Sequence, residues 1–382
     1  MCSKFAIDIF SGAGGSTQAA KKFFNIITAI EYDPIFSKTY ELNHGSHIYT
    51  MDIKQTDKKF WENQIENIPN KNLDLLVATP PCQGFSKHSR TKVIESIDER
   101  NNLIMEIVRI SAITKPSFIF MENVTNIINY KIFHKFLKQL SNIKKNGEPK
   151  DINRPSYHLR FESVTSSDFD VPQNRKRMIL IAKKIDNFPC KEAYILFPKD
   201  NIPFVLLPLN IWPEKKKSLF LGEYLQKFDL PKIKAGETCT SDKLHKSRKL
   251  SELNLKRIMK TPLNGGSRKD WPDNLMLDCH KGGNVSYGDV YGRMSYYKYA
   301  PTITCGCISY TKGRFGHPVE NRAISLREAA LIQTFPIDYK FTGKINGEIY
   351  EGSMDKIATQ IGNAIPIKLG EAFFKEIFKN LN

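Results

Sequence analysis

The chain has 382 residues, a formal net charge of +17 and an isoelectric point near 9.4, and its mixed composition excludes wholesale disorder. That length suits a catalytic domain plus a second, smaller one, and the charge implies a polyanionic partner, with nucleic acid ahead of an anionic membrane. No apolar run approaches the roughly twenty residues of a membrane span, and Met1-Cys2-Ser3-Lys4 enters a strand-like segment without a signal-peptide core.

Five apolar runs, at residues 5–9, 26–30, 73–79, 118–121 and 178–182, alternate with helix-like stretches and read as the strands of an α/β domain. Between the third and fourth, Leu103, Ile104, Ile107, Val108 and Ile110 recur at helical spacing over residues 101–114. A crossover helix there predicts a doubly wound, mostly parallel sheet.

The first strand runs into Phe10-Ser11-Gly12-Ala13-Gly14-Gly15-Ser16-Thr17, with a helix expected from about Ser16. Glycines let backbone approach a ligand, and a strand-loop-helix presents amide N–H groups to it. Glu31 ends the second strand, where an acid takes ribose hydroxyls, and Asp52-Ile53 offers an acid and an apolar contact suited to an adenine ring. An isolated Gly-x-Gly-Gly is by default a plain turn. Neither a G-x-x-x-x-G-K-[ST] loop nor a complete G-x-G-x-x-G is present, which weakens triphosphates and NAD as ligands.

The third strand ends in Pro80-Pro81-Cys82-Gln83-Gly84-Phe85-Ser86. Two prolines fix φ and Gly84 allows a tight return, so one thiol is held where a substrate can meet it. The competing reading is an inert packing cysteine. The fourth strand delivers Glu122 at its end. Seven scattered cysteines make no disulfide framework, so a cytoplasmic protein is expected. Cys305-Gly306-Cys307 lacks the paired spacing of a zinc site, and no metal is expected.

Past residue 184 the texture changes to scattered prolines and lysine clusters, with Trp271, Tyr287, Tyr291, Tyr296, Tyr297 and Tyr299 interleaved, as on a nucleic-acid surface. Residues 1–184 are expected to form one domain and 185–344 a second. Residues 345–382 are expected to return to the first through an amphipathic helix carrying Ile367, Leu369, Phe373, Phe374, Ile377 and Phe378.

Taken together, Phe10 to Gly15, Pro80 to Ser86, Glu122-Asn123-Val124, Gln173-Asn174-Arg175-Lys176-Arg177 and Gln360-Ile361-Gly362-Asn363 resemble, in order, the motifs of the DNA cytosine-5 methyltransferases. Arg327-Glu328-Ala329-Ala330 with Gln333-Thr334-Phe335-Pro336 resembles a further one, leaving only residues 184–289 uncovered. The resemblance implies the S-adenosylmethionine-dependent methyltransferase fold, with residues 1–184 as its catalytic and cofactor-binding domain and 185–344 as a smaller, DNA-reading target-recognition domain.

It also implies a chemistry in which Cys82 adds to carbon 6 of a cytosine and Glu122 donates a hydrogen bond or proton at ring nitrogen 3. Carbon 5 then takes the methyl of S-adenosylmethionine. Arg175 and Arg177 match arginines near the base, where a guanidinium holds an exocyclic oxygen or a phosphate. Phe10, Gly12, Gly14, Gly15, Glu31, Asp52, Ile53, Pro80, Leu103 and Asn363 match cofactor positions, and Gln83, Ser86 and Thr304 match DNA-facing ones, with Thr302 a rival to Thr304.

No residue claims the role of the base that removes the carbon-5 proton. The target must leave the helical stack for both carbons to be reached. Double-stranded DNA is the expected substrate, the enzyme a monomer, and a restriction endonuclease of the same specificity its expected counterpart, a solitary enzyme being the alternative. Transfer RNA is the rival substrate, a catalytically silent DNA-binding homologue the rival class. A cysteine hydrolase using Cys82 with His44 or His88 leaves the cofactor residues without a purpose.

Overall fold

The computed structural model describes residues 3–85, 99–190, 194–196, 204–206, 209–280, 289–346 and 349–381. Contacts group the chain into two units. One comprises Met1–Val164, Lys176–Glu214 and Gly370–Asn382; the other comprises Thr165–Arg175 and Lys215–Leu369.

The first unit is built on β1 (Phe5–Ile9), α1 (Gly15–Ala20), β2 (Asn25–Glu31), α2 (Pro34–His44), β3 (Ile48–Thr50), α3 (Lys58–Glu66), β4 (Leu75–Ala78), α4 (Ile104–Thr114), β5 (Phe118–Asn123) and α5 (Lys131–Ser141), followed by β6 (Tyr157–Thr165) and β7 (Lys176–Lys184). The seven strands lie in the order β3-β2-β1-β4-β5-β7-β6. Strands β1 to β5 pair parallel with one another, and β7 runs antiparallel to β5.

The two central strands, Leu75-Leu76-Val77-Ala78 and Phe118-Ile119-Phe120-Met121-Glu122-Asn123, are buried throughout, as expected of parallel strands covered on both faces. The winding reverses between β1 and β4, so a crevice opens beyond the carboxyl ends of those two strands. The loops carrying Gly12 and Cys82 leave from there.

The helix expected over residues 101–114 is α helical only from Ile104; residues Glu99–Leu103 form a 3-10 turn that brings Asn101 against Gly84. Strand β6 escaped sequence reading because Tyr-His-Leu-Arg-Phe-Glu-Ser-Val-Thr, at the sheet edge, mixes polar side chains through its length. A two-stranded ribbon, β8 (Tyr194–Leu196) with β9 (Phe204–Leu206), belongs to the same unit.

The second unit holds α6 (Leu221–Leu225), α7 (Glu252–Lys260), α8 (Leu326–Ile332) and α9 (Met354–Asn363) among long irregular stretches. Where regular ladders are few, buried guanidinium groups satisfy carbonyls instead. Arg293, fully buried, donates to the carbonyls of Ile258 (2.7 Å), Thr261 (3.0 Å) and His317 (2.9 Å). Arg322 makes a two-pronged pair with Glu328 at 2.7 and 2.8 Å, which holds the Glu328 carboxyl well below the usual carboxylate range.

Helix α10 (Ile367–Lys379) begins in the second unit, and from Gly370 onward it belongs to the first. There Phe373 and Phe374 pack on Phe120 of β5, with ring centroids 5.9 and 4.8 Å away, and Trp212 stands edge-on to Phe373 at 4.8 Å. No helix among the described residues is long and apolar enough to cross a membrane.

Candidate active site

Phe10 (φ 61°), Gly12 (φ 56°) and Gly14 (φ 87°) all take the left-handed conformation, turning the chain back on itself after β1. The Gly14 amide donates to the Ser11 carbonyl at 2.9 Å, and α1 starts at Gly15. Glu31 locks the loop from β2: one carboxylate oxygen accepts from the Gly12 amide at 2.9 Å, the other from the Asp33 amide at 2.8 Å. Burial pushes the Glu31 carboxyl up from its ordinary range. The Met51 amide donates to the Glu31 carbonyl at 3.0 Å, which sets Asp52 and Ile53 beside it; Asp52 caps the short turn Ile53–Gln55, and Ile53 is buried in the main core.

Under the loop lies Asp8, which sequence reading assigned no role. It is fully buried and accepts from the Ser16 and Thr17 hydroxyls, each at 2.7 Å. Burial pushes its carboxyl up to about 7. The only sequence signal was its apolar strand, where an acid has no packing reason to stand.

The Cys82 loop is held from several sides. The Thr79 hydroxyl donates to the Phe10 carbonyl at 2.9 Å, tying it to the glycine loop, and the Asn123 side chain donates to the Pro80 carbonyl at 3.0 Å. The Phe85 amide closes a turn onto the Cys82 carbonyl at 2.9 Å, and the Asn126 side chain donates to the Phe85 carbonyl at 3.0 Å. Phe85 is buried, edge-on to Tyr130 at 4.9 Å. Cys82 is half-buried and outside any disulfide. Leu103 is half-buried against the main core. The backbone of Gln83 lies in the turn Gln83–Phe85, and Ser86 falls outside the described residues.

Glu122 pairs in register with Ile179 of β7, so Arg177, two positions away on the same face, is its diagonal neighbour. The Arg177 Nε stands 2.8 Å from Glu122 Oε1, and both side chains are largely shielded from water. Glu122 and Asn123 are thus consecutive, one paired to an arginine and the other gripping the Cys82 loop. Asn123 was quoted in a motif but given no role by sequence reading.

Arg175, Thr304 and Asn363 come together in the second unit. Arg175 is 2% exposed, and its guanidinium donates to the carbonyls of Ile303 (2.7 Å) and Gly362 (2.9 Å), the residues preceding Thr304 and Asn363. The two motif arginines therefore sit in different surroundings: Arg177 on a carboxylate, Arg175 clamping two backbone segments. Thr304 is exposed, and the Asn363 amide oxygen accepts from the Cys305 thiol at 3.1 Å. Thr302 donates its hydroxyl to the Asn174 carbonyl at 3.2 Å. No cluster of three or more metal-ligating side chains occurs among the described residues.

Residues 5–379 match the family model of the C-5 cytosine-specific DNA methylases. The chain belongs to that family. It is 31% identical to the Type II methylase M.HgiDII of Herpetosiphon aurantiacus, covering 97% of this chain and 94% of that protein. It is 29% identical to the Type II methyltransferase M1.HphI of Haemophilus parahaemolyticus, covering 98% and 86%. Among solved structures, a putative DNA modification methyltransferase encoded within an E. coli prophage superposes with a TM-score of 0.66 at 20% identity over all of both chains. The DNMT2 of Spodoptera frugiperda superposes with a TM-score of 0.60 at 16% identity over 98% of this chain and all of that one. At such identities these two structures establish the fold of this methylase and no more.

Proposed function

We propose that this family member transfers a methyl group from S-adenosylmethionine to carbon 5 of a flipped-out cytosine in a specific duplex DNA sequence, through a covalent bond between Cys82 and carbon 6. The observation that carries this reading is the coupling of acid to nucleophile: Glu122 stands on Arg177, while the next residue, Asn123, fixes the Pro80 carbonyl two residues before Cys82. Such a pair serves a ring that must be attacked at one atom and have charge neutralised at another.

The carboxyl ends of β1 and β2 fit the methyl donor. Nothing stands within 4 Å of where a Gly12 side chain would begin, so a ligand can approach that backbone, and the Glu31 carboxylate is fixed beside it. Bound there, S-adenosylmethionine supplies an electrophilic methyl group. Glu31 would hold ribose hydroxyls, Phe10 would stack on adenine, and Asp52, Ile53, Pro80, Leu103 and Asn363 would complete the contacts.

For its part, the Cys82 thiolate would attack carbon 6 and Glu122, held by Arg177, would donate at ring nitrogen 3; once carbon 5 carries the methyl group, loss of its proton to a base would break the Cys82–carbon 6 bond and release the thiolate. Gln83, Ser86 and Thr304 would face the target strand, with sequence read by residues 185–344. The Type II names of the curated relatives support a place beside an endonuclease of the same specificity, and we assign the enzyme to the cytoplasm as a monomer.

An oligonucleotide carrying 5-fluorocytosine at the target tests this directly, because the fluorine cannot be removed as a proton and the adduct persists. With S-adenosylmethionine present, a stable protein–DNA band is expected from the wild type and none from Cys82→Ser. Transfer RNA carrying 5-fluorocytosine, run in parallel, separates the substrates: an adduct only with RNA would overturn the DNA assignment, and none with either would overturn the covalent mechanism.

A further inference from the structure

A second concavity lies in the sheet-bearing unit, at the strand ends opposite those that carry Glu31 and Cys82. Lys4 precedes β1 and Asn25 opens β2, and the cleft they share with Lys21, Lys22, Phe23, His44 and His47 has a volume of about 600 Å³, in the range of small-molecule sites. Among the described residues three lysines line it and no carboxylate does. Asp74 reaches Lys4 at 3.6 Å and Glu371 reaches Lys22 at 2.6 Å from outside the lining, which fixes two ammonium groups, while Lys21 is exposed.

Burial, then the charge of Lys21, pushes His44 down to about 3, and burial lowers His47, so the cationic character resides in the lysines. Phe23 adds a half-buried ring, 6.0 Å from that of Phe378. Ammonium groups beside an aromatic ring suit a ligand with a phosphate at one end and a flat ring at the other.

The back wall of the cleft touches the glycine loop. His47 Nε2 lies 2.8 Å from the Tyr40 hydroxyl, that oxygen 3.1 Å from Thr17 Oγ1, and Thr17 donates to Asp8 at 2.7 Å. His44 meets the backbone of Gly14.

We propose that this cleft binds a small phosphate-bearing aromatic molecule of mononucleotide size, separate from the strand-end site, and that its occupancy reaches the Gly12–Gly15 loop through His44 and the Tyr40–Thr17 chain. Calorimetric titration of the full chain with adenosine 5′-monophosphate, adenosine and inorganic phosphate, each with S-adenosylhomocysteine saturating, tests it.

The monophosphate should bind at least about tenfold more tightly than either fragment. Lys21→Ala with Lys22→Ala should weaken it at least about tenfold, the factor of one charge-assisted hydrogen bond, while leaving Tm and S-adenosylhomocysteine affinity unchanged. No binding at millimolar monophosphate, equal binding of a fragment, or an unaffected double variant would overturn the site. An S-adenosylhomocysteine affinity identical with and without the monophosphate would overturn the coupling. Failure of S-adenosylhomocysteine itself to bind would count against the methyl-donor reading instead, and the lysine variants would still decide this one.

Discussion

Gly84→Ala is the sharpest probe of how the Cys82 loop is held. A methyl carbon at residue 84 would stand 2.7 Å from Cγ and 2.9 Å from Nδ2 of Asn101, and closer still to Oδ1. Non-bonded heavy atoms settle near 3.5–4.0 Å, so either the amide or the turn must move by about 1 Å. Asn101 is only 7% exposed and has little room to yield. Overpacking of this kind costs about 1–3 kcal/mol, and a shift of about 1 Å at a reacting atom costs about a hundredfold in rate. Initial rates of labelled methyl transfer to duplex DNA should therefore fall about a hundredfold in Gly84→Ala. Removing the obstacle, in Gly84→Ala with Asn101→Ala, should recover most of the loss, leaving the double variant within a fewfold of Asn101→Ala alone. A Gly84→Ala enzyme as fast as wild type, or a double variant no faster than Gly84→Ala, would refute the steric argument.

Glu122→Gln keeps the shape beside Arg177 but removes the acid; kcat should drop by about a hundredfold or more while S-adenosylhomocysteine affinity holds, as read by single-turnover assay and titration. Arg175→Met strands two buried carbonyls, so the urea midpoint should fall by the equivalent of roughly 2–4 kcal/mol. Arg177→Met should instead lower rate far more than stability. Asp8 has a raised carboxyl, about 7 against an ordinary 3.8, so between those pH values the unfolded state ionises while the folded state keeps its proton. Stability conferred relative to Asp8→Asn should accordingly decline as pH rises, by about 1.4 kcal/mol per unit, and level off above pH 7. Denaturant melts of the two proteins from pH 4 to pH 8 measure this; a difference that grows with pH would contradict a buried, neutral Asp8.

Strands β1, β2, β4, β5 and β7 were legible because apolar runs of that length have little other explanation, and the glycine loop and Cys82 loop were legible because Gly and Pro declare their backbone. The 3-10 turn before α4 was hidden, since Glu99-Arg100-Asn101-Asn102 carries no periodicity. What the sequence could not display was which side chain grips which carbonyl. Asn123 on Pro80, Thr79 on Phe10 and Arg175 on Ile303 and Gly362 join residues 43 to 187 positions apart. Those partners exist only once β1, β4 and β5 lie side by side, or once α9 is formed. Arg175 and Arg177 looked equivalent as a motif pair, yet they separate because one follows β6's turn and the other already lies within β7.

The aromatic cover that α10 supplies to β5 sets a timetable for synthesis. Phe120 leaves the ribosome some 250 residues before Phe373 and Phe374 do. At the usual elongation rates of about 5–20 residues per second, one side of a hydrophobic strand waits on the order of ten seconds to a minute for its lid. A growing chain in that interval is a client for chaperones. Messages truncated before residue 370 should yield insoluble product even though every catalytic strand has been made.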